Sequence, residues 1–274
     1  TFSIVARSAD GESWGVAVAS KFLAVGNAVP TAVAGIGALA TQANANVSYK
    51  GIGLSLLDGG AAAGVALQRL LEEDPDRDHR QVGIVDADGA AATHTGDACF
   101  PWAGGVTGDG YAVQGNILTG PEVVEEMERA FLETEASVAL AARLLAALTA
   151  GDLAGGDRRG RQSAALLVVR EGAGYGGHDD VAVDLRVDDH PAPIPELARL
   201  LDLNDLFLTA TSEEDKVTVT PELDREITEL VRARGHDDLL DWAGTENYEM
   251  RVAPSGSWID RRVLAILRAS KEST

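Results

Sequence analysis

The chain has a single cysteine, Cys99, among its 274 residues. One cysteine excludes an intramolecular disulfide and any cysteine-based metal site. The five histidines, His79, His94, His178, His190 and His236, show none of the spacings that hold zinc, so no metal is expected. Basic residues are scarce, 23 Lys and Arg against 43 Asp and Glu, for a net charge of −20. A surface of that sign repels nucleic acid and anionic membranes, and neither is an expected partner. No apolar run reaches the ~18 residues that span a bilayer. No basic segment leads into an apolar one at the start, so the cytoplasm is the expected location. Gly53, Gly59 and Gly60 lack a P-loop lysine, and no G-x-G-x-x-G opens a helix after a strand. No organic cofactor is expected either.

What is present is an ordinary apolar fraction, 45%, enough for a buried core. The first third alternates short apolar runs with turn residues. Phe2–Ala6 and Trp14–Ala19 read as strands around a Ser8-Ala9-Asp10-Gly11 turn. Ala28–Val33 and Ile36–Thr41 read as a second pair. Gly51–Leu57 and Ala61–Leu71 read as helices, and Val82–Asp86 with Ala90–Thr95 as a hairpin across Asp88-Gly89. Tyr111–Gln114 is a further strand. Pro121 starts a helix with an apolar face of Val123, Val124, Met127 and Phe131, and Leu140, Leu144, Leu145 and Leu148 mark the next. Strand character returns at Ala164–Val169 and Val181–Val187, then a helix at Ile194–Leu201. Segregated runs of this kind predict an α+β fold with two antiparallel sheets between helix layers. Residues 1–205 are expected to form one domain, 206–220 a polar linker, and 221–274 a small helical module with helices around Leu223–Val231, Asp237–Trp242 and Ile259–Leu267.

The chain opens Thr1-Phe2-Ser3-Ile4-Val5. An N-terminal threonine carries a hydroxyl and an amine on one residue, and the amine, with an ordinary pKa of ~7.7–8.0, can take the hydroxyl proton. Methionine removal, which a residue as small as threonine permits, and self-processing are both open as routes to that free end. If the first two strands pair antiparallel, Ser20 and Lys21 land beside Thr1. A lysine there would keep the amine unprotonated by like-charge repulsion.

These residues also carry a resemblance. Thr1–Ala6, Gly15–Phe22, Ala40-Thr41-Gln42-Ala43, Thr95-Gly96 with Cys99 and Trp102-Ala103-Gly104, Val113-Gln114-Gly115-Asn116, Ala154-Gly155-Gly156-Asp157 and Gly160–Ala165 occur in the order seen in the DUF1028 family. The likeness covers about residues 1–203. That family is assigned to the Ntn-hydrolase superfamily, and the resemblance implies a four-layer αββα sandwich whose N-terminal Ser, Thr or Cys hydrolyses amide bonds. In related members an Asn-containing loop forms the oxyanion hole, which implies that role for Asn116. The run Leu239–Glu249, with Gly256 and Ile259-Asp260, is similar to a small peptidoglycan-binding-like module attached to some members; with no export signal in view, a small helical cap or dimer contact is the expected role and a cell-wall ligand the alternative.

The expected catalytic set is Thr1, Lys21, Asn116 and Ser20. Gln42, Asn44, Gln114 and Gly115, near strand ends, are expected around the substrate, together with Arg161 and Ser163 of the polar cluster Asp157–Ser163, where the Arg161 guanidinium matches a carboxylate. Cys99 reads as a small core residue. The expected activity is hydrolysis of a small-molecule amide through an acyl-enzyme, in a homo-oligomer, a dimer or larger. A non-catalytic binding or assembly protein on the same fold and a proteasome-like threonine peptidase are the alternatives.

Overall fold

The structure is a computed structural model, and it describes residues 1–269. The chain divides into two compact units, Thr1–Leu201 and the part from Asp202 onward. The first contains, in chain order, β1 (Phe2–Arg7), β2 (Ser13–Ser20), α1 (Val25–Ala28), β3 (Pro30–Val33), β4 (Gly37–Ala43), α2 (Ser48–Asp58), α3 (Ala63–Glu72), β5 (Arg80–Asp86), β6 (Ala91–Thr95), β7 (Gly104–Gly108) and β8 (Tyr111–Gly115). There follow α4 (Glu122–Glu133), α5 (Leu140–Leu153), β9 (Ser163–Arg170), β10 (Val181–Val187) and the start of α6 (Pro193–Leu208), within which the division falls.

The strands make two antiparallel sheets. One has the order β10-β9-β2-β1-β8-β7 and the other β3-β4-β5-β6. Every described residue of β1 and β2 except Arg7 is buried, because their side chains alternate between two apolar surroundings. Phe2, Ile4 and Ala6, with Ala17 and Ala19, pack among Met127 and Phe131 of α4 and Leu144 and Leu148 of α5. Val5, Trp14, Val16 and Val18 point the other way, into a cluster with Ala38, Ala40 and Val85 of the second sheet. Leu39, Val82 and Ile84 of that sheet turn their side chains to Tyr49, Leu57, Leu67 and Leu70 of α2 and α3. Burial on both faces explains why β1 and β2 lack the polar alternation of a solvated sheet.

The second unit has its own core, in which Ile227, Leu230 and Val231 meet Trp242, Tyr248, Ile259 and Leu267. Its elements are β11 (Lys216–Thr218), α7 (Pro221–Arg232), α8 (Leu239–Thr245), β12 (Trp258–Asp260) and α9 (Arg261–Ala269), with β11 and β12 paired antiparallel. Thr220 and Asp238 cap α7 and α8 through their side-chain oxygens. Buried Asp260 accepts hydrogen bonds from Thr211 Oγ1 at 2.8 Å and Arg251 Nη1 at 3.0 Å.

Four expectations change here. The boundary lies at Leu201/Asp202 rather than at 205, and 206–220 is no linker: it holds the end of α6, Thr211 and β11, all tied to the second unit's core. A three-residue strand with two half-buried residues carries too little apolar signal to separate it from loop. Ala28 belongs to α1, and Ile259 to β12, the helix starting at Arg261. β7, with the sequence Gly-Gly-Val-Thr-Gly, was not foreseen, since glycine-rich runs read as turns.

Candidate active site

Thr1 stands at the head of β1, which lies between β2 and β8. Phe2 is opposite Ala19 on one side and Gly115 on the other, so Thr1 meets Ser20 and Asn116. Its hydroxyl Oγ1 lies 2.7 Å from Ser20 Oγ. The chain amine donates to the Asn116 carbonyl at 3.0 Å and to Asp157 Oδ2 at 2.7 Å, and the Asn116 N–H donates back to the Thr1 carbonyl at 2.9 Å. Thr1 is only 8% exposed.

Asp157 is delivered by the turn after α5. Gly155 and Gly156 both have positive φ, 121° and 56°, and a Cβ on Gly155 would fall 2.3 Å from Thr119 Oγ1. Glycine is therefore required for this path. The buried carboxylate also accepts the Lys21 backbone N–H at 3.1 Å and a two-pronged contact from Arg159, Nε to Oδ1 at 2.9 Å and Nη2 to Oδ2 at 2.7 Å. Burial alone would raise the Asp157 carboxyl. The hydrogen bonds from Arg159 and the charge of the chain amine outweigh it and hold the group well below the usual carboxylate range. The amine is pushed down to about 6, chiefly by burial and further by the Arg159 charge, against the opposing pull of Asp157.

Between the sheets runs a closed polar network. Gln42 accepts from Ser3 Oγ at 2.7 Å and donates to Gln81 Oε1 at 2.8 Å. Gln114 Nε2 donates to Ser3 Oγ at 2.7 Å. Gln81 accepts a second bond from Asn116 Nδ2 at 2.9 Å and donates to the Gly115 carbonyl at 2.7 Å and Thr95 Oγ1 at 2.9 Å. Polar groups inside a protein are retained when each finds a partner, as here.

A cleft of about 720 Å³ opens beside Thr1, and Gln42, Asn44 and Asn116 line it. The other expected site residues lie elsewhere. The Lys21 side chain is exposed, and among the described residues its ammonium meets no partner. The register places it beside the terminus as expected, but β2 ends at Ser20, whose side chain takes the place next to Thr1 while the chain bends away at Lys21. Arg159 supplies the like charge expected of it. Gln114 is wholly buried within the network, and a Cβ on Gly115 would meet Leu118 Cδ1 at 2.4 Å, so that glycine serves core packing. Arg161 pairs through Nε with Asp152 Oδ1 at 2.7 Å, and both it and Ser163 border a separate hollow near Ser20. Ser163 is a tether: its hydroxyl donates to the Phe22 carbonyl at 2.5 Å and accepts the Val25 N–H at 3.1 Å. Cys99 is half-buried on the wall of the Thr1 cleft rather than in the core, its thiol donating to the Arg80 carbonyl at 3.4 Å and pushed up by burial. Asp157 and Gln81 had gone unassigned. The Ala-Gly-Gly-Asp run was the available signal for the first; nothing local marked the second. Among the described residues no group of three His, Cys, Asp or Glu side chains could hold a metal. No described helix is long and apolar enough to cross a membrane.

The first unit is thus a mixed α/β body of two antiparallel sheets with helices, built around a chain end held in a buried polar nook. The DUF1028 sequence model, described as a family of unknown function, matches residues 1–197, and the chain belongs to that family. A crystal structure of a DUF1028 protein from Silicibacter pomeroyi is similar with a TM-score of 0.67 and 30% identity, over 74% of this chain and 88% of that one. Fainter likenesses reach Anbu, an ancestral β-subunit, from Yersinia bercovieri (TM-score 0.34, 12% identity, 74% of this chain and 94% of that one). Anbu from Hyphomicrobium sp. strain MC1 is comparable (TM-score 0.35, 10% identity, 78% and 100%). A search of the curated proteins found no match.

Proposed function

We propose that the protein is an N-terminal-threonine amidohydrolase that cleaves a C–N bond of a small molecule through an acyl-enzyme, on a four-layer αββα body. One observation carries the proposal: a chain amine with a pKa of about 6 shares a buried nook with its own hydroxyl, at the wall of a cleft. A neutral amine has two N–H groups and one lone pair. Both N–H groups have acceptors, Asn116 O and Asp157 Oδ2, which leaves the lone pair for the hydroxyl proton. Ser20 Oγ, donating to Thr1 Oγ1, steadies the alkoxide as it forms.

Oγ1 attacks the substrate carbonyl carbon and the C=O electrons move onto oxygen. Asn116 has one side-chain N–H beyond the one given to Gln81, and it is assigned to that oxyanion. The protonated amine, opposite the Asp157 carboxylate, returns its proton to the leaving nitrogen as the C–N bond breaks. Water then attacks the ester, with the same amine as base, and frees the acid and Thr1. The second unit, whose run 239–249 spans α8 and the following turn, is proposed to be a peptidoglycan-binding-like module; binding of muropeptide fragments tests that separately.

The test is intact mass and N-terminal sequencing of the purified protein, followed by a β-lactone acylation assay. Wild type should start at Thr1 and gain one acyl group there. Thr1→Ala should stay folded and lose acylation and amide turnover by a factor of about 10³ or more. A residue preceding Thr1, a blocked amine, or equal acylation of both proteins would sink the proposal.

A further inference from the structure

The polar lining of the Thr1 cleft departs from the rest of the molecule. In a chain with 43 acidic residues, no Asp or Glu lines it, and its lining carries the Arg159 guanidinium together with the His79 imidazole. The guanidinium gives Nε and Nη2 to Asp157, while Nη1 has no partner among the described residues, and the side chain is 40% exposed. The fork is thus oriented by a buried carboxylate and keeps donors for a second one, a geometry suited to a planar anion. Around it the walls are apolar. Phe22 and Phe100 stand 54% and 68% exposed at the cleft, with Val25, Val29 and Ile117 deeper in the same lining. Both rings sit on anchored backbone: the Phe22 carbonyl accepts from Ser163 Oγ, and the Phe100 carbonyl accepts the Ile117 N–H at 2.9 Å. Two exposed rings on anchored backbone beside an open cleft favour a ligand with apolar bulk.

We infer that the substrate is an amide with an apolar or aromatic body and a free carboxylate, of the N-acyl amino acid class, and that Arg159 is the residue that selects the carboxylate. This rests on the hydrolase proposal for the same cleft, but its test reads binding as well as turnover. The probes are N-phenylacetylglycine, its uncharged counterpart N-phenylacetylglycinamide, and N-acetylglycine, titrated by calorimetry or ligand-observed NMR. Wild type should bind N-phenylacetylglycine about tenfold or more tightly than the glycinamide, as a charge-assisted bond to a fixed guanidinium implies. Arg159→Gln should abolish that preference, and Arg159→Lys should keep only part of it. Because a change in the Thr1 amine alters turnover of both phenylacetyl probes alike, the ratio between them isolates carboxylate recognition. Phe22→Ala should weaken both phenylacetyl probes several-fold, leave their ratio intact and barely touch N-acetylglycine. Equal binding of the charged and uncharged probes by wild type, no binding of either, or a preference that survives in Arg159→Gln overturns the inference. Selective binding without any turnover would instead sink the hydrolase proposal and leave this one standing. Turnover of uncharged amides without the preference would do the reverse.

Discussion

At the scale of single residues, the proposed chemistry turns on which charges surround one amine. Desolvation lowers its proton affinity, Arg159 adds to that, and Asp157 opposes it. With a pKa of about 6, the amine is protonated and idle as a base below pH 6 and neutral above it. The rate of β-lactone acylation of Thr1 should therefore rise with pH through about 6. Arg159→Gln should move this limb upward for two reasons of the same sign: a repelling charge is lost, and Asp157 is released to stabilise the protonated amine. Asp157→Asn should move it downward, by removing the charge that favours protonation. Lys21→Ala should leave it where it is. A limb that follows Lys21 and ignores Arg159 would return the tuning role to the lysine. The sequence could not separate these two cations. Lys21 is near Thr1 by register, and Arg159 reaches it only because two glycines turn the chain after α5.

At the scale of elements, strand pairing was legible and the partners of the polar residues were not. Hydrophobic runs and turn residues place β1, β2, β5, β6, β8, β9 and β10 within a residue or two: burial on both faces leaves a continuous apolar signal in β1, β2, β5, β8 and β9, the Asp88-Gly89 turn marks β6, and apolar-polar alternation marks β10. Thr1 and Ser20 come together through the β1–β2 pairing that the turn residues imply, whereas Asn116 reaches them through the β1–β8 pairing, which the sequence left open. Gln42 and Gln114 are expected around the substrate because they lie near strand ends in runs of small residues and carry amide donors. What engages them lies partly across the gap between the sheets: Gln42 bonds its register neighbour Gln81 and Ser3 of the other sheet, and Gln114 bonds its own neighbour Ser3 and Thr93 of the other sheet, an approach that no local pattern encodes. The network makes a demand on its neighbours. Gly83 lies where a Cβ would come 2.1 Å from Gln114 Oε1. Gly83→Ala should destabilise the protein by about 1–3 kcal/mol, as overpacking in an interior does. Adding Gln114→Ala should recover part of that loss, since the two sites are in contact. Urea midpoints of the single and double variants decide it; an unaffected Gly83→Ala would mean that the amide has room to move.

At the scale of the whole molecule, the segment once read as a tether between two bodies is instead built into one of them. Lys216 begins β11, pairs with Glu213 and lies 4.8 Å from the centre of the Trp258 ring. Brief trypsin digestion of the native protein should therefore spare the bond after Lys216, although it is a lysine in a polar stretch. Fragments ending at Lys216 among the earliest products in a mass spectrum would restore the linker. Sequence composition failed here because a small unit keeps most of its residues at the surface, so its short strands look like loop. The opposite situation holds at the other end of the chain. First residues ordinarily fray, but the head of β1 is flanked by a strand on each side and pinned by Asp157. The amides of Ser3 and Ile4 should exchange with solvent as slowly as those of the deepest strands, in a molecule whose tip is among the last parts to open. A terminus clamped in this way doubles as a gauge of its own trimming: an extra residue ahead of Thr1 would replace the amine by an amide, remove the ion pair with Asp157 and one of the two hydrogen bonds, and register across the sheet as faster exchange.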